Sequence, residues 1–301
     1  MQDTLLIVTN GDSAVQALRS SGIPGELLAW DDVLHDGPVP GTLSPVDLAT
    51  CRAGYLAGEL AEREIERQLL ERDAVLAAWV GPILLWFEHD LYDQLQLIQV
   101  LDRLAGRPEV WMVPETDFVA MQAPRALNHS FQLRLPVTEG QFEHSARAWR
   151  AFTASTPEAF VHCRGSDLLP HLDAAIDRWV EEFPGSRGLT RTEGEVIDAL
   201  AGGARTGVEL FRATQEGEAA AFRGDWSFWR LLDDLGGLIE RDPASTAGPA
   251  DGIWSITEAG RRVADGSSDR VQAIGIDLWR GGTHLTPAND WRRVGGTLRR
   301  A

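Results

Sequence analysis

Ile83-Leu84-Leu85-Trp86-Phe87, running straight into Glu88-His89-Asp90, is the stretch on which the fold turns. Five consecutive apolar residues leave no polar face, so as a strand the run must be covered on both sides, as central strands of parallel sheets are. Pro82 ends the helical pattern before it, and helical spacing returns from Leu91 to Leu104. The same alternation repeats upstream. Leu5 to Val8 is a short apolar run ending in Thr9-Asn10-Gly11-Asp12-Ser13, followed by a helical pattern that Gly22 and Pro24 stop. Glu26 to Trp30 is a second strand, ending in Asp31-Asp32-Val33-Leu34-His35-Asp36-Gly37-Pro38. Ser44-Pro45 then opens a helix, cap first and proline at the first helical position. Glu109 to Val113 reads as a fourth strand and Phe131 to Leu135 as a fifth. Strands alternating with helices at these spacings predict an α/β fold with a Rossmann-like, doubly wound parallel sheet.

From Glu59 to Trp79 the pattern is helical, with Glu59, Arg63, Arg67 and Glu71 four apart on one solvated, ion-paired face. Phe142 to Phe152 and Leu168 to Phe183 are also helical, and Pro184-Gly185-Ser186-Arg187-Gly188 is the best boundary. Beyond it, Thr190 with Glu193 and Thr206 with Glu209 have capping-box spacing, and a third helix covers Asp225 to Leu235. Leu238 to Arg241 and Ile253 to Ile256 form a hairpin, and Thr257 starts a last short helix. Three helices and a hairpin predict a winged-helix-like domain. The expected organisation is an α/β domain over 1–140, a helical connector over 141–184, the winged-helix-like domain over 185–265 and a basic tail over 266–301.

Composition narrows the function classes. All 28 basic residues of the 301 are Arg, which excludes a P-loop lysine, a Schiff base and a pyridoxal phosphate site. Cys51 and Cys163 lie in unrelated contexts, so neither a disulfide framework nor a structural zinc site is expected. Mean hydropathy is -0.17, no apolar run approaches the roughly 20 residues of a membrane span, and no leader pattern opens the chain. A soluble cytoplasmic protein with no membrane partner is expected. The net charge is -17 and uneven: residues 1–184 hold 13 Arg against 28 acids, residues 185–301 hold 15 against 17. Such an acidic body disfavours nucleic acid.

In an open parallel sheet, loops after the strands gather along one edge, where ligands bind. Three polar loops fall there. Asn10-Gly11-Asp12-Ser13 ends a strand and opens a helix, where exposed N–H groups favour an anion; alternatively Asp12 or Ser13 merely caps that helix. It lacks G-x-G-x-x-G. The second loop concentrates Asp31, Asp32, His35 and Asp36, a set suited to general base or divalent-ion chemistry; alternatively it is a tight turn with a solvated histidine. The third holds Glu88, His89, Asp90 and Asp93, with Asp90 also well placed as a helix cap. His89-Asp90 is similar to the pair of the HD metal phosphohydrolases, but the further histidine and aspartate they need at helical spacing are missing.

The winged-helix-like region, with 8 Arg against 14 acids over 189–265, resists DNA, whose affinity rests on neutralising phosphates. Trp226, Phe228 and Trp229 are expected to pack against the first domain or a second subunit, and a homo-oligomer stays open. Residues 266–301, with 6 Arg against 3 Asp, should dock back on the acidic domain and bring Arg280 or His284 to the polar edge.

The three loop motifs, quoted above and extended by Phe87 and by Leu91-Tyr92-Asp93-Gln94-Leu95-Gln96-Leu97, resemble the bacterial family known as domain of unknown function 1835, over roughly residues 4–125. The tail Gly281-Gly282-Thr283-His284-Leu285 is similar to that family's C-terminus. The resemblance implies a Rossmann-like domain with no assigned activity. Two functions are expected from the residues. In the first, the chain is an enzyme (a hydrolase or transferase) or ligand-binding domain for a small phosphorylated or nucleotide-like molecule. His35 or His89 would be its acid/base group, with Asp36 and Asp90. Asn10, Gly11, Asp12, Ser13, Asp32, Asp93 and Gln94, with Arg280 and His284, would hold the ligand, and a divalent cation would complete the site. In the second, it is a metabolite-sensing adaptor whose winged helix contacts protein.

Overall fold

The computed structural model describes residues 4–58, 61–114, 117–243 and 248–301. The chain divides into two compact units: Met1–Ile176 with Gly281–Thr283, and Asp177–Arg280 with His284–Ala301. The fold is mixed α/β, with 13 α-helices among the described residues. No described helix is long and apolar enough to cross a membrane.

In the first unit the order is β1 (Leu6–Thr9), α1 (Asp12–Ser21), β2 (Glu26–Ala29), β3 (Gly37–Pro38), α2 (Pro45–Leu56), α3 (Glu62–Ala78), β4 (Ile83–Trp86), α4 (Leu91–Arg103), β5 (Val110–Met112), α5 (Pro124–Gln132), β6 (Leu135–Pro136), α6 (Glu139–Phe152) and α7 (Glu158–Val161). A five-stranded sheet runs β2-β1-β4-β5-β6, parallel except for β6 against β5. The Ile83 run is therefore the middle strand, and all four of its residues are fully buried. Ile7, Leu84 and Trp86 meet Ala14, Leu18, Leu127 and Phe131 in one apolar cluster.

Helix ends follow local chemistry. Ser44 caps α2 and Asp90 caps α4, each through its side chain to the N–H three residues on. Gly22 ends α1 at φ 75°, a left-handed position that glycine fills without steric cost. On α3, Arg67 pairs with Glu64 and Glu71; Glu59 lies outside the described residues. The strand expected over Phe131 to Leu135 is corrected at its start: it begins only at Leu135, as β6, paired with β5. Phe131 belongs to α5, whose Pro124 start sets Leu127 and Phe131 four apart on a buried face. Leu133 and Leu135, which alternate with Phe131, are exposed.

Helix α8 (Leu172–Glu181) leads into the second unit, which holds α9 (Arg191–Ala201), β7 (Arg205–Thr206), α10 (Gly207–Glu216), α11 (Asp225–Asp234), β8 (Ile239–Arg241), β9 (Ile253–Ile256), α12 (Glu258–Ala264) and α13 (Arg270–Ile274). It also holds most of β10 (Leu278–Gly281) and β11 (Thr283–Leu285), with β12 (Trp291–Val294) and β13 (Thr297–Arg300). Both expected capping boxes form, Thr190 with Glu193 and Thr206 with Glu209. Strands β7, β9 and β8 make an antiparallel sheet. Phe228 is fully buried inside this unit with Leu210 and Leu232, and Trp229 packs against the same cluster. Of the three aromatics expected to dock on another body, Phe228 is taken up by this unit's own core, whereas Trp226 and Trp229 are only partly buried.

Candidate functional site

The sheet order fixes where a site can lie. From β1 the chain goes to β2 on one side, then crosses to β4 on the other. The carboxyl ends of β1 and β4 flank the point where the order reverses, the crevice where open α/β sheets hold ligands.

Glu88, Asp90 and Asp93 converge there. All three are buried, and each offers an oxygen within 4.8 Å of the others. Asp90 receives the Asp93 N–H at 3.1 Å. Asp93 accepts from the Glu88 N–H at 2.7 Å and from Asn10 Nδ2 at 2.9 Å, joining the β1 and β4 loops. Glu88 accepts the Val119 N–H at 2.6 Å, and Gln94 Nε2 donates to the Glu88 carbonyl. Burial, against the backbone hydrogen bonds and with Glu88 nearby, lifts Asp90 to about 7. Burial, then Asp90 and Glu88, push Asp93 well above the carboxylate range. Both shifts have one origin: carboxylates this close in a dry setting repel, so Asp90 and Asp93 favour the protonated form unless a cation offsets their charge. Their spacing is within about twice a metal–oxygen bond of roughly 2.0–2.6 Å, and an all-oxygen donor set suits a hard divalent ion. Glu88 was read only as part of the third loop, with no role assigned to it. Its signal was its place, an acid directly after five apolar residues and so carried into the buried strand end.

The second loop is organised by a residue that sequence reading passed over. Arg52, only 1 % exposed, donates through Nε and Nη2 to Asp32 Oδ1 at 2.9 and 2.7 Å. It also donates to the Val33 and Asp36 carbonyls. Asp32 is thus committed to an internal ion pair. His35 is 1 % exposed, with Nε2 3.8 Å from Asp36 Oδ2 and its ring edge-on to Tyr92, so the solvated-histidine alternative is corrected. Burial, with Asp31 and Asp93 near it, pushes the Tyr92 hydroxyl above its ordinary range.

In the first loop, Gly11 occupies the N-cap of α1 and no side chain caps it; Asp12 and Ser13 are exposed on the first turn. A Cβ on Gly11 would stand 2.8 Å from Asp31 Oδ1, so this glycine lets the acid after β2 reach the start of α1. Asp31 is exposed, although its carboxyl lies close against the start of α1, where protein atoms replace part of its water. That desolvation, with Asp12 and Asp32 and against Arg72, raises it to about 6.

His89 is half-buried against Phe118 and His171, and its Nδ1 is buried with no hydrogen-bond partner among the described residues. Arg280 and His284 belong to the second unit. There Arg280 donates to the Glu182 carbonyl at 2.9 Å, and His284 stacks on Trp279 with Nε2 2.6 Å from Asp277. Gly281–Thr283 belong to the first unit: the Val39 N–H donates to the Gly281 carbonyl, and the Gly282 N–H to that of Phe152. The geometry thus gathers Asn10, Glu88, Asp90, Asp93 and Gln94, holds Asp32 and the Asp36 carbonyl on Arg52 with His35 near the Asp36 carboxylate, and gives Arg280 and His284 partners of their own. No protein-family model matches the chain, and no curated protein matches it significantly.

Proposed function

We propose that the first unit is a Rossmann-like domain that binds, and acts on, a small phosphorylated or nucleotide-like molecule at the carboxyl ends of β1, β2 and β4. One observation carries this: the buried Glu88, Asp90 and Asp93 converge beside an α1 whose N-terminus has no side-chain cap. The N–H groups of α1 suit an anion, whereas three carboxylates repel one. A divalent cation held by the three acids would reverse that sign and polarise a phosphoryl oxygen. Asn10 orients Asp93, and Gly11 keeps the approach to α1 open. His89, with its unsatisfied Nδ1, is the acid/base group of this proposal, and His35 is a positioning residue for the second loop. The likeness of the three loops to domain of unknown function 1835 belongs to the same proposal.

Calorimetric titration of the full chain with Mn²⁺ at pH 8 tests it. Saturable binding at one site, lost in Asp93→Asn and retained in Asp12→Asn, is expected; undiminished binding in Asp93→Asn would sink the metal site. A thermal-shift screen of nucleotides and sugar phosphates with Mg²⁺, followed by mass spectrometry of each hit, tests turnover.

A second reading is a metabolite sensor whose second unit, winged-helix-like in its helices and three-stranded sheet, contacts protein. It is favoured by the charge of α11, where Arg230 lies over the Trp226 ring and Asp225, Asp233 and Asp234 are its companions. Such a helix does not suit DNA. A hit that binds without turnover supports this alternative.

A further inference from the structure

A cavity of ≈ 400 Å³ opens beside Asp31, within the size range of small-molecule sites. Val33, Leu56, Ile65 and Leu69 give it apolar walls, drawn from the second loop and from α2 and α3. Its charged lining is mostly spoken for. Asp32 is bound by Arg52. Arg72 lies 3.9 Å over the Trp30 ring, donates to the Asp31 carbonyl and pairs with Asp73. The carboxylate of Asp31 is the charge left at the rim, and it disfavours an anion inside. Apolar walls with one acceptor carboxylate suit a flat, neutral, hydroxyl-bearing group. The same Asp31 reaches Gly11 at the start of α1, so cavity and helix N-terminus share a wall. In nucleotide-binding α/β domains, an acid about 20 residues after the first glycine turn holds the ribose hydroxyls. Gly11 and Asp31 have that separation, each just past the end of its strand.

Resting on the phosphorylated-ligand reading above, we propose that this cavity is a nucleoside site. The apolar walls take the base, Asp31 accepts hydrogen bonds from the ribose hydroxyls, and the 5′-phosphate is left at the start of α1.

The test is calorimetry on the full chain with Mg²⁺, using adenosine, guanosine, cytidine and uridine, their 5′-monophosphates, their 2′,3′-dideoxy counterparts, and ribose 5-phosphate. At least one ribonucleoside should bind saturably at one site, with its dideoxy counterpart about tenfold weaker or more, the size of a lost hydrogen bond to a charged group. Asp31→Asn should weaken the ribonucleoside by a similar factor and leave the dideoxy compound unchanged. Ile65→Trp should abolish both by filling the cavity. Val33→Phe, on a different segment, should do the same if Ile65→Trp fails to fold. Equal binding of ribo and dideoxy compounds overturns the proposal. Binding of ribose 5-phosphate with no response to any nucleoside overturns it too, but spares the phosphorylated-ligand reading. Silence from every compound overturns the nucleoside site, and the phosphorylated-ligand reading falls with it only when the thermal-shift screen of nucleotides and sugar phosphates is silent as well.

Discussion

Arg52 and Asp32 set the energetics of the second loop. Both are buried, and the guanidinium satisfies the carboxylate and two carbonyls together. Removing one partner of such a pair strands the other charge in the interior, which costs roughly 3–5 kcal/mol. Arg52→Met should therefore lower unfolding stability in urea by about that amount. Adding Asp32→Asn should restore part of the loss; a loss below about 1 kcal/mol would mean the pair is dispensable. Asp90 gives the opposite sign. A carboxyl raised from 3.8 to about 7 binds its proton more tightly in the folded chain. Stability is then lost as pH climbs from about 4 through about 7, and the loss is complete above that. In chelator, Asp90→Asn, which can still cap α4, should raise the melting temperature at pH 8 by about 3 °C or more. The gain should shrink steadily toward pH 4. A gain independent of pH would show that the charge of Asp90 is not what the fold resists.

At the scale of elements, local chemistry governs the helix ends. The Thr190 hydroxyl accepts the Glu193 N–H, and Glu193 returns the bond to the Thr190 N–H, both deep inside the second unit. Thr190→Ala should cost about 1 kcal/mol, within the range for lost caps, and more than Thr206→Ala at an exposed box; chemical denaturation of the two variants compares them. These ends were legible because a cap and its partner lie within four residues. The segment around Phe131 was not, because an alternation of Phe131, Leu133 and Leu135 fits a strand and a helix end equally well. Burial of Leu127 with Phe131 on one face decided for the helix.

At the scale of the molecule, Gly281 and Gly282 are held by close backbone approach. A Cβ on Gly281 would fall 2.2 Å from the Phe152 carbonyl oxygen, and one on Gly282 only 1.9 Å from that of Thr153. Gly282→Ala should therefore destabilise by roughly 1–3 kcal/mol, the usual cost of overpacking, read as a lower thermal midpoint. An unchanged midpoint would mean that this turn is free to move. The tail's basic charge led to an expectation that Arg280 would serve the polar edge. Within the second unit, burial of Glu182 costs enough that Arg178, Arg223 and Arg280 collect around it, holding its carboxyl below its ordinary range.

By itself the sequence determined the α/β class, the central strand at Ile83, the caps and the three polar loops at strand ends. Each of these follows from residues adjacent in the chain, through side-chain periodicity, φ preference and short-range hydrogen bonding. Tertiary structure alone decided which loop residues meet. It joined Asn10 to Asp93 across 83 positions, spent Asp32 on Arg52, and set Asp31 against Gly11. Strand order, which depends on how distant apolar faces bury one another, brings β1 beside β4, and an acidic loop beside a cap position becomes one candidate site only once they are neighbours.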